Sequence, residues 1–587
     1  MNLVDKTKKV IAIALSAATI AAPAFSDPHD FNGHNGIQRV LLISIDGMHA
    51  LDFENCASGG YCPNLASLGN HGVTYTRTTT SRPSDSFPGL MALVTGASPK
   101  TVGAFYDVAY DRVLAPPQIT TGNGVAGSGI NPAGCTVGQP NGTTTEYEEG
   151  VEIDQTKLNG GSTRYSTTDG GILSINALRL PRDPFNHCQP LYPWNFIRTN
   201  TIYGVIHAAS GYTAWSDKHA VYAAVSGPSD NASNVDDYYS PEVNSSIISL
   251  PGVTTAIGDN CAKPAVTSGD WTTDFVNIRC YDTLKVNAII NEIDGKTHLG
   301  QSNGGKVPNL FGMNFQAVSV GQKLIENGVF GGYSDAAGTP TGPMKDEIRF
   351  ADASIGNMVE ELKDRNLINS TLIIITAKHG QSPIDPKRFN PIPGPSGTNG
   401  ASPANVLVNA DPGFLPFSES PLNPTGIGPT EDDISQLWLA PGKSLAAAVA
   451  QLESHASTAG IGQIFYGPSL ETMFNASGLP PNGDSRTPDI IVQPNVGVVY
   501  TGSSKKQAEH GGFAQDDTNV MMLVSNPSIN GATVTSFVET AQVAPTILQA
   551  LGLDPNQLQG VQKEGTPVLP GLNLGQGSNG QGQGSDH

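Results

Sequence analysis

The chain has 587 residues and a net charge of −20, with charged residues making up only 14% of it. That balance excludes a nucleic-acid backbone as the main partner, because no basic face is available to displace counterions. The 67 glycines and 43 prolines point to long loops around a regular core rather than to a coiled coil or a disordered chain, and the length is ample for a large α/β domain with insertions.

Residues 1–24 have the layout of a secretory signal: Lys6, Lys8 and Lys9 form a positive start, Val10 to Ala22 an apolar run, and Ala22-Pro23-Ala24 a small-x-small cleavage pattern. A membrane-anchoring start is the alternative. No later stretch reaches the ~18 uninterrupted apolar residues of a spanning helix, so the mature protein is expected to be secreted or periplasmic, with no membrane span. Six cysteines in an exported chain read as disulfides. Their spacing favours neighbours: Cys56 with Cys62, Cys135 with Cys188, Cys261 with Cys280. Zinc ligation competes, but no Cys-x-x-Cys pair completes a tetrahedral set.

Gln38 to Asp46, QRVLLISID, is an apolar run ending in an acid. It predicts a strand buried on both faces of a parallel sheet. Asp46 then falls at the strand's C-terminal rim, where open α/β sheets bind ligands; opening a turn with Gly47 is the other reading. Leu65 and Leu68 predict a short helix that stops at Gly69 to Gly72. From Ser81 to Gly96 a hydroxyl-rich segment precedes a helix whose start is marked by Pro88. Ser86 therefore lies near a helix N-terminus, where N–H groups and the dipole favour an anion, although a serine there also serves as a plain cap.

Residues 110–190 are dense in Gly, Asn, Thr and Pro and predict a loop-rich insertion that walls a pocket. Tyr192, Trp194 and Trp215 either stack on a substrate base or pack under a lid. Asn200 to Ala208 restores a strand or helix pattern, His219 is a ligand-contacting or structural histidine, and residues 225–305 form a second excursion. The core resumes at Leu310. A turn-rich loop from Gly331 to Pro343 holds Asp335, Gly338 and Thr339 and feeds a helix whose Ile348, Ala351, Ile355, Met358, Val359 and Leu362 line one face. Ser370 to Gly380 repeats the opening: a buried strand, then Lys378 and His379, then glycine. Residues 385–485 read as a cap with one helical patch over Leu445 to Leu452. Pro488 to Gln493 returns to the sheet, followed by Glu509-His510-Gly511-Gly512, a strand from Val520 to Val524 and a last helix over Thr540 to Leu551. Residues 571–587 are low-complexity Gly/Gln/Ser and predict a flexible tail.

The order of these motifs (strand-Asp46-Gly47, Ser86-Phe87-Pro88 before a helix with Val94-Thr95-Gly96, Asp335 with Gly338, His379-Gly380, His510-Gly511-Gly512) resembles the alkaline phosphatase superfamily. Within it, the type I phosphodiesterase/nucleotide pyrophosphatase family is the match, over most of residues 38–553. The resemblance implies an α/β fold with a mostly parallel central sheet flanked by helices. It implies one catalytic domain over residues 37–570, with loop-rich, disulfide-bearing insertions at about 110–190, 225–305 and 385–485. The implied activity is hydrolysis of phosphoric esters by two zinc ions, held by aspartates and histidines, and a Thr or Ser that attacks phosphorus. By position Ser86 matches the nucleophile, Asp46 and His379 match ligands of the metal beside it, and Asp335 and His510 match ligands of the other. Such cations lower the pKa of the hydroxyl and neutralise phosphoryl oxygens.

Three positions depart from the family pattern. Thr339 stands where the motif has His, and Lys378 where it has Asp, so each metal loses a ligand and one acid becomes a base. An ammonium beside a divalent ion is costly unless an anion lies between them. Asp107 falls where the family has an Asn that donates to a phosphoryl oxygen. The preferred reading is a single divalent ion, zinc, shared by Asp46, Asp335, His379 and His510, with Lys378 as a catalytic cation in place of the second and with Asp107 and Thr339 at the substrate, a small anionic phosphoester. Two alternatives stay open. One is an anion-binding relative without turnover; the other is a sulfatase, against which Leu90 stands where conversion of the nucleophile needs Arg.

Overall fold

The computed structural model describes residues 31, 33–120, 134–147, 150–154, 157, 171–243, 245, 250, 252–261, 271–394, 400–416 and 430–573. The signal read over residues 1–24 and all but the first three residues of the tail lie outside these.

Among the described residues, eight strands form the central sheet. In chain order they are β1 (Arg39–Ile45), β2 (Gly72–Tyr75), β3 (Ala214–Ser216), β4 (Asp237–Tyr239), β5 (Leu310–Phe315), β6 (Thr371–Thr376), β7 (Met522–Ser525) and β8 (Ala532–Val534). Their spatial order is β8-β2-β7-β6-β1-β5-β3-β4, and neighbours are parallel except around β7, which runs against β6 and β2.

β1 sits at the centre because its sequence suits no edge. All of its residues are buried, and they divide by parity: Val40 and Leu42 join one hydrophobic core, Leu41, Ile43 and Ile45 the other. A strand covered on both faces has no solvent side for polar residues, so it reads as an apolar run. Each Leu or Ile buried this way contributes roughly 1.5–3 kcal/mol.

Five helices matter most for the two layers: α1 (Ser86–Thr95), α2 (Phe275–Ile293), α3 (Ala317–Lys323), α4 (Gly342–Asp364) and α5 (Val543–Ala550). α1 and α5 pack on the side of Val40 and Leu42; α2, α3 and α4 pack on the other. α4 is the amphipathic helix expected from Ile348 to Leu362. α2 lies in the span that reads as a loop-rich excursion, because Arg279, Asp282, Lys285 and Glu292 are buried along it and break the apolar stripe. Asn200 to Ala208 resolves as a helix, Ile202–Ala208. Ile490–Pro494 does not return to the central sheet; it pairs with Ser435–Leu437 and Ile461–Tyr466 in a separate four-stranded sheet.

All three neighbouring cysteine pairs are disulfides: Cys56–Cys62, Cys135–Cys188 and Cys261–Cys280. Trp194 and Trp215 belong to the core, with Tyr192 stacked on Trp194, so these aromatics pack rather than await a base. No helix among the described residues is long and apolar enough to cross a membrane.

Candidate active site

Four adjacent parallel strands, β6, β1, β5 and β3, end on one rim, and each hands over polar residues there. Lys378 and His379 follow β6, Asp46 follows β1, Gln316 follows β5, and Asp217 and Lys218 follow β3. Carboxyl ends of parallel strands are where such sheets bind ligands. α1 brings its N-terminus to the same rim with Ser86 as its first residue, capped by Asp85, whose Oδ2 accepts from Phe87 N at 3.4 Å. Gly89 permits this approach: a Cβ there would lie 2.2 Å from the Lys378 carbonyl oxygen.

Ser86 is wholly buried. Lys218 Nζ donates to its Oγ at 3.0 Å, His379 Nε2 is 3.2 Å away and Asp46 Oδ2 3.5 Å. His379 Nδ1 lies 2.9 Å from Gly380 O. A carbonyl only accepts, so in the neutral ring Nδ1 carries the proton and Nε2 turns its lone pair to Ser86. Asp46 accepts from Asn314 Nδ2 and Gln316 Nε2, both at 2.7 Å, while Lys378 Nζ stands 3.3 Å from its Oδ2 and Lys218 Nζ 3.9 Å. Lys378 is shared with Asp217 Oδ1 at 3.3 Å and lies 4.6 Å from the centroid of the Tyr222 ring. Burial pushes the Asp46 carboxyl up, but Lys378, His379 and Lys218 outweigh it and hold the group well below the usual carboxylate range.

His510, on the loop before β7, lies against His379 with ring centroids 3.9 Å apart and the rings tilted by 31°, and its Nδ1 is 3.3 Å from Asp85 Oδ1. Burial, then the charge of His379, lowers His510 to about 3, so the ring is neutral at pH 7. Asp107 accepts from Tyr222 Oη at 3.1 Å on each oxygen. A cavity of about 860 Å³ runs outward from here, lined by Asp85, Asp107, Lys218, Gln316, Lys323 and His510 among others.

The structure thus gathers Ser86, Asp46, Lys378 and His379, with His510 and Asp107 on the adjoining wall. It does not bring Asp335 and Thr339 to them. Asp335 Oδ1 accepts from Ala337 N at 2.9 Å and Thr339 N at 3.2 Å, a self-closed turn tied by Asn55 to the carbonyls of Ala337 and Gly338. Thr339 is exposed. The reason is the path of the chain. β5 neighbours β1, so the residue that ends β5 meets Asp46, and that residue is Gln316; α3 and the hairpin Ile325–Glu326/Val329–Phe330 intervene before Asp335.

Sequence reasoning passes over Lys218, Asp217 and Gln316. Ala214-Trp215-Ser216 followed by Asp-Lys-His has the same strand-then-polar layout as Ser370 to His379, and that signal was available. His219 is the structural histidine of the set, its Nδ1 2.7 Å from Glu242.

A divalent ion does not fit this donor set. Among the described residues, no three His, Cys, Asp or Glu side chains are gathered to hold one. Both oxygens of Asp46 are engaged by the amides of Asn314 and Gln316, and Lys378, which cannot ligate while protonated, takes the side toward Asp217.

The fold, with its site on the strand ends, is that of the alkaline phosphatase superfamily. The chain belongs to the type I phosphodiesterase/nucleotide pyrophosphatase family, whose profile matches residues 40–136 and 242–514. Among solved structures it is similar to murine ectonucleotide pyrophosphatase/phosphodiesterase 5, with 14% identity and a TM-score of 0.50 over 88% of this chain and 96% of that one. An inactive form of the same mouse protein in complex with AMP gives 13% identity and a TM-score of 0.50 over 88% and 96%. At such identities the likeness concerns the fold. No curated protein sequence matches.

Proposed function

We propose that this chain hydrolyses phosphoric esters, with Ser86 as nucleophile and lysines as the cations of the site. The observation that carries the reading is Ser86 at the start of α1 with Lys218 Nζ at 3.0 Å and His379 Nε2 at 3.2 Å. Family membership supplies the reaction class and points to metal-dependent enzymes in general. Among the described residues no three His, Cys, Asp or Glu side chains are gathered for a zinc or other divalent ion, so in this reading the charge it would supply falls to Lys218 and Lys378.

In this mechanism Ser86 Oγ transfers its proton to His379 Nε2 and forms a bond to phosphorus. The bond from phosphorus to the leaving oxygen breaks, and that oxygen keeps the electron pair and takes the proton from His379. Water then cleaves the phosphoserine and restores the hydroxyl. Lys218 stabilises the alkoxide, the N–H groups at the start of α1 receive the phosphoryl oxygens, and Lys378 keeps Asp46 ionised beside them. Export to the periplasm or the medium is part of the proposal, supported by the disulfides and the signal-like residues 1–24.

The test is release of 4-nitrophenol from bis(4-nitrophenyl) phosphate and from 4-nitrophenyl phosphate by wild type and Ser86→Ala. Turnover of either ester that disappears in the folded variant supports the reading; full activity of the variant overturns it. A second reading, anion binding without turnover, is favoured by the saturation of Asp46 with donors. It predicts phosphate binding and no turnover in wild type.

A further inference from the structure

His379 keeps its proton on Nδ1 because Gly380 O accepts from it at 2.9 Å. That carbonyl belongs to the peptide group between Gly380 and Gln381, and the other end of the same group, Gln381 N–H, donates to His49 Nε2 at 3.1 Å. A trans peptide is planar, with its C=O and N–H pointing in opposite directions. Whatever holds the N–H therefore also aims the carbonyl, and His49 is that holder.

His49 is buried on the loop after β1. It caps the helix Ala50–Ser58, its own N–H donating to Asp52 Oδ2 at 2.8 Å. The same carboxylate oxygen stands 3.0 Å from His49 Nδ1. A carboxylate only accepts, so Nδ1 carries the proton and Nε2 the lone pair that receives Gln381 N–H. Tyr333 Oη, 2.9 Å from His49 Nδ1, donates to Asp52 Oδ1 at 2.8 Å and fixes the carboxylate in turn. Gly380 allows the two loops to meet: a Cβ there would lie 3.0 Å from His49 Cδ2 and 2.4 Å from Asp516 O. A second bond joins the same loops, Gly47 N donating to His379 O at 3.0 Å.

Asp52, His49, one peptide group and His379 thus stand in series, each settling where the next keeps its proton. A second proton on His49 is opposed by burial and favoured more strongly by Asp52 and Asp516, so the group is raised above its usual value. That proton would sit on Nε2, face Gln381 O at 2.9 Å and leave Gln381 N–H without its acceptor. The series belongs to the neutral ring.

We propose that His49, oriented by Asp52, is a positioning residue for the reaction at Ser86: through the Gly380–Gln381 peptide it fixes the tautomer of His379 and keeps Nε2 of that ring free to take the serine proton. The inference rests on the reading of His379 as the base for Ser86. No bond to substrate is made by His49, so its effect falls on proton transfer rather than on substrate binding.

The experiment records imidazole nitrogen and carbon shifts of histidine-labelled protein at pH ~9, above the usual imidazole range, with the His379 signals assigned by their loss in His379→Asn. The same proteins are assayed on bis(4-nitrophenyl) phosphate. Wild type is expected to show His379 protonated on Nδ1. His49→Asn keeps a donor for Asp52 but places no acceptor at Gln381 N–H; it is expected to give a mixture of His379 tautomers and to lower kcat about 10–10²-fold with KM little changed. His49→Gln, whose longer amide reaches Gln381, is expected to recover most of both. Asp52→Asn turns His49 Nδ1 into an acceptor and repeats the tautomer shift through a second residue, which decides the matter if His49→Asn does not fold. An unchanged His379 tautomer in the folded variants, a shift that leaves kcat as it was, or equal losses in His49→Asn and His49→Gln overturns the proposal. If wild type turns over no ester the catalytic reading fails, and the tautomer alone decides: a shift in His49→Asn or Asp52→Asn supports the tie through the peptide, and no shift overturns it.

Discussion

Lys218 Nζ donates to Ser86 Oγ across 3.0 Å, joining the residue after β3's aspartate to the first residue of a helix 132 positions earlier in the chain. The contact favours charge development. An ammonium stabilises an alkoxide more than a hydroxyl, so the interaction strengthens as the proton leaves.

Lys218→Met is therefore expected to lower kcat by about 10²–10³-fold with a smaller change in KM, and Lys218→Arg to recover part of the loss. Steady-state kinetics on an activated diester decide it. A kcat equal to that of wild type would remove Lys218 from the reaction.

Lys378 has a different duty. Its fully buried ammonium is shared between Asp46 and Asp217, so Lys378→Met leaves two buried carboxylates without the cation they share and is expected to cost about 3–5 kcal/mol of stability. Denaturant titration measures this, and adding Asp46→Asn should return part of the loss. A single substitution without effect would mean that the two carboxylates do not depend on the ammonium.

Gly89→Ala places a methyl group 2.2 Å from the Lys378 carbonyl oxygen. Strand and helix must part, at a cost of about 1–3 kcal/mol, and Ser86 moves with the helix. A fall in both melting temperature and kcat is expected; a change in neither contradicts the close approach.

Behind the His510 loop, Asp433 and Asp517 form a buried acid pair. Burial, partly offset by the hydrogen bond with Asp433 and reinforced by Asp516, pushes Asp517 up to about 7. A carboxyl raised in the fold binds more protons folded than unfolded between pH ~4 and ~7, so its contribution is full below that window and is lost as the pH rises through it. Asp517→Asn escapes the loss. Its melting temperature relative to wild type should improve from pH ~5 to pH ~8, whereas an equal difference at both would contradict the raised carboxyl.

Much of the site is legible in the sequence because Asp46, Lys378 and His379 follow long apolar strands and Ser86 opens a helix, so a local pattern marks each. Lys218 is harder to see: β3 has three residues, and only its pairing with β5 makes its end part of the rim. Gln316 has no metal chemistry to attract notice, yet its place after β5 sets it against Asp46. Asp335 is drawn in by motif spacing, which says nothing of the helix and hairpin that carry it away from the strand end. α2 escapes because buried charged residues interrupt its apolar stripe, and Arg279 among them finds its partner in Glu347, far along the chain.

The most direct test of the central claim is the metal content of the purified mature protein, measured together with hydrolysis of bis(4-nitrophenyl) phosphate before and after exhaustive chelation. The lysine-based site predicts far less than one divalent ion per chain and turnover that survives the chelator. Stoichiometric zinc, with activity lost on chelation and restored by adding the metal back, would contradict it.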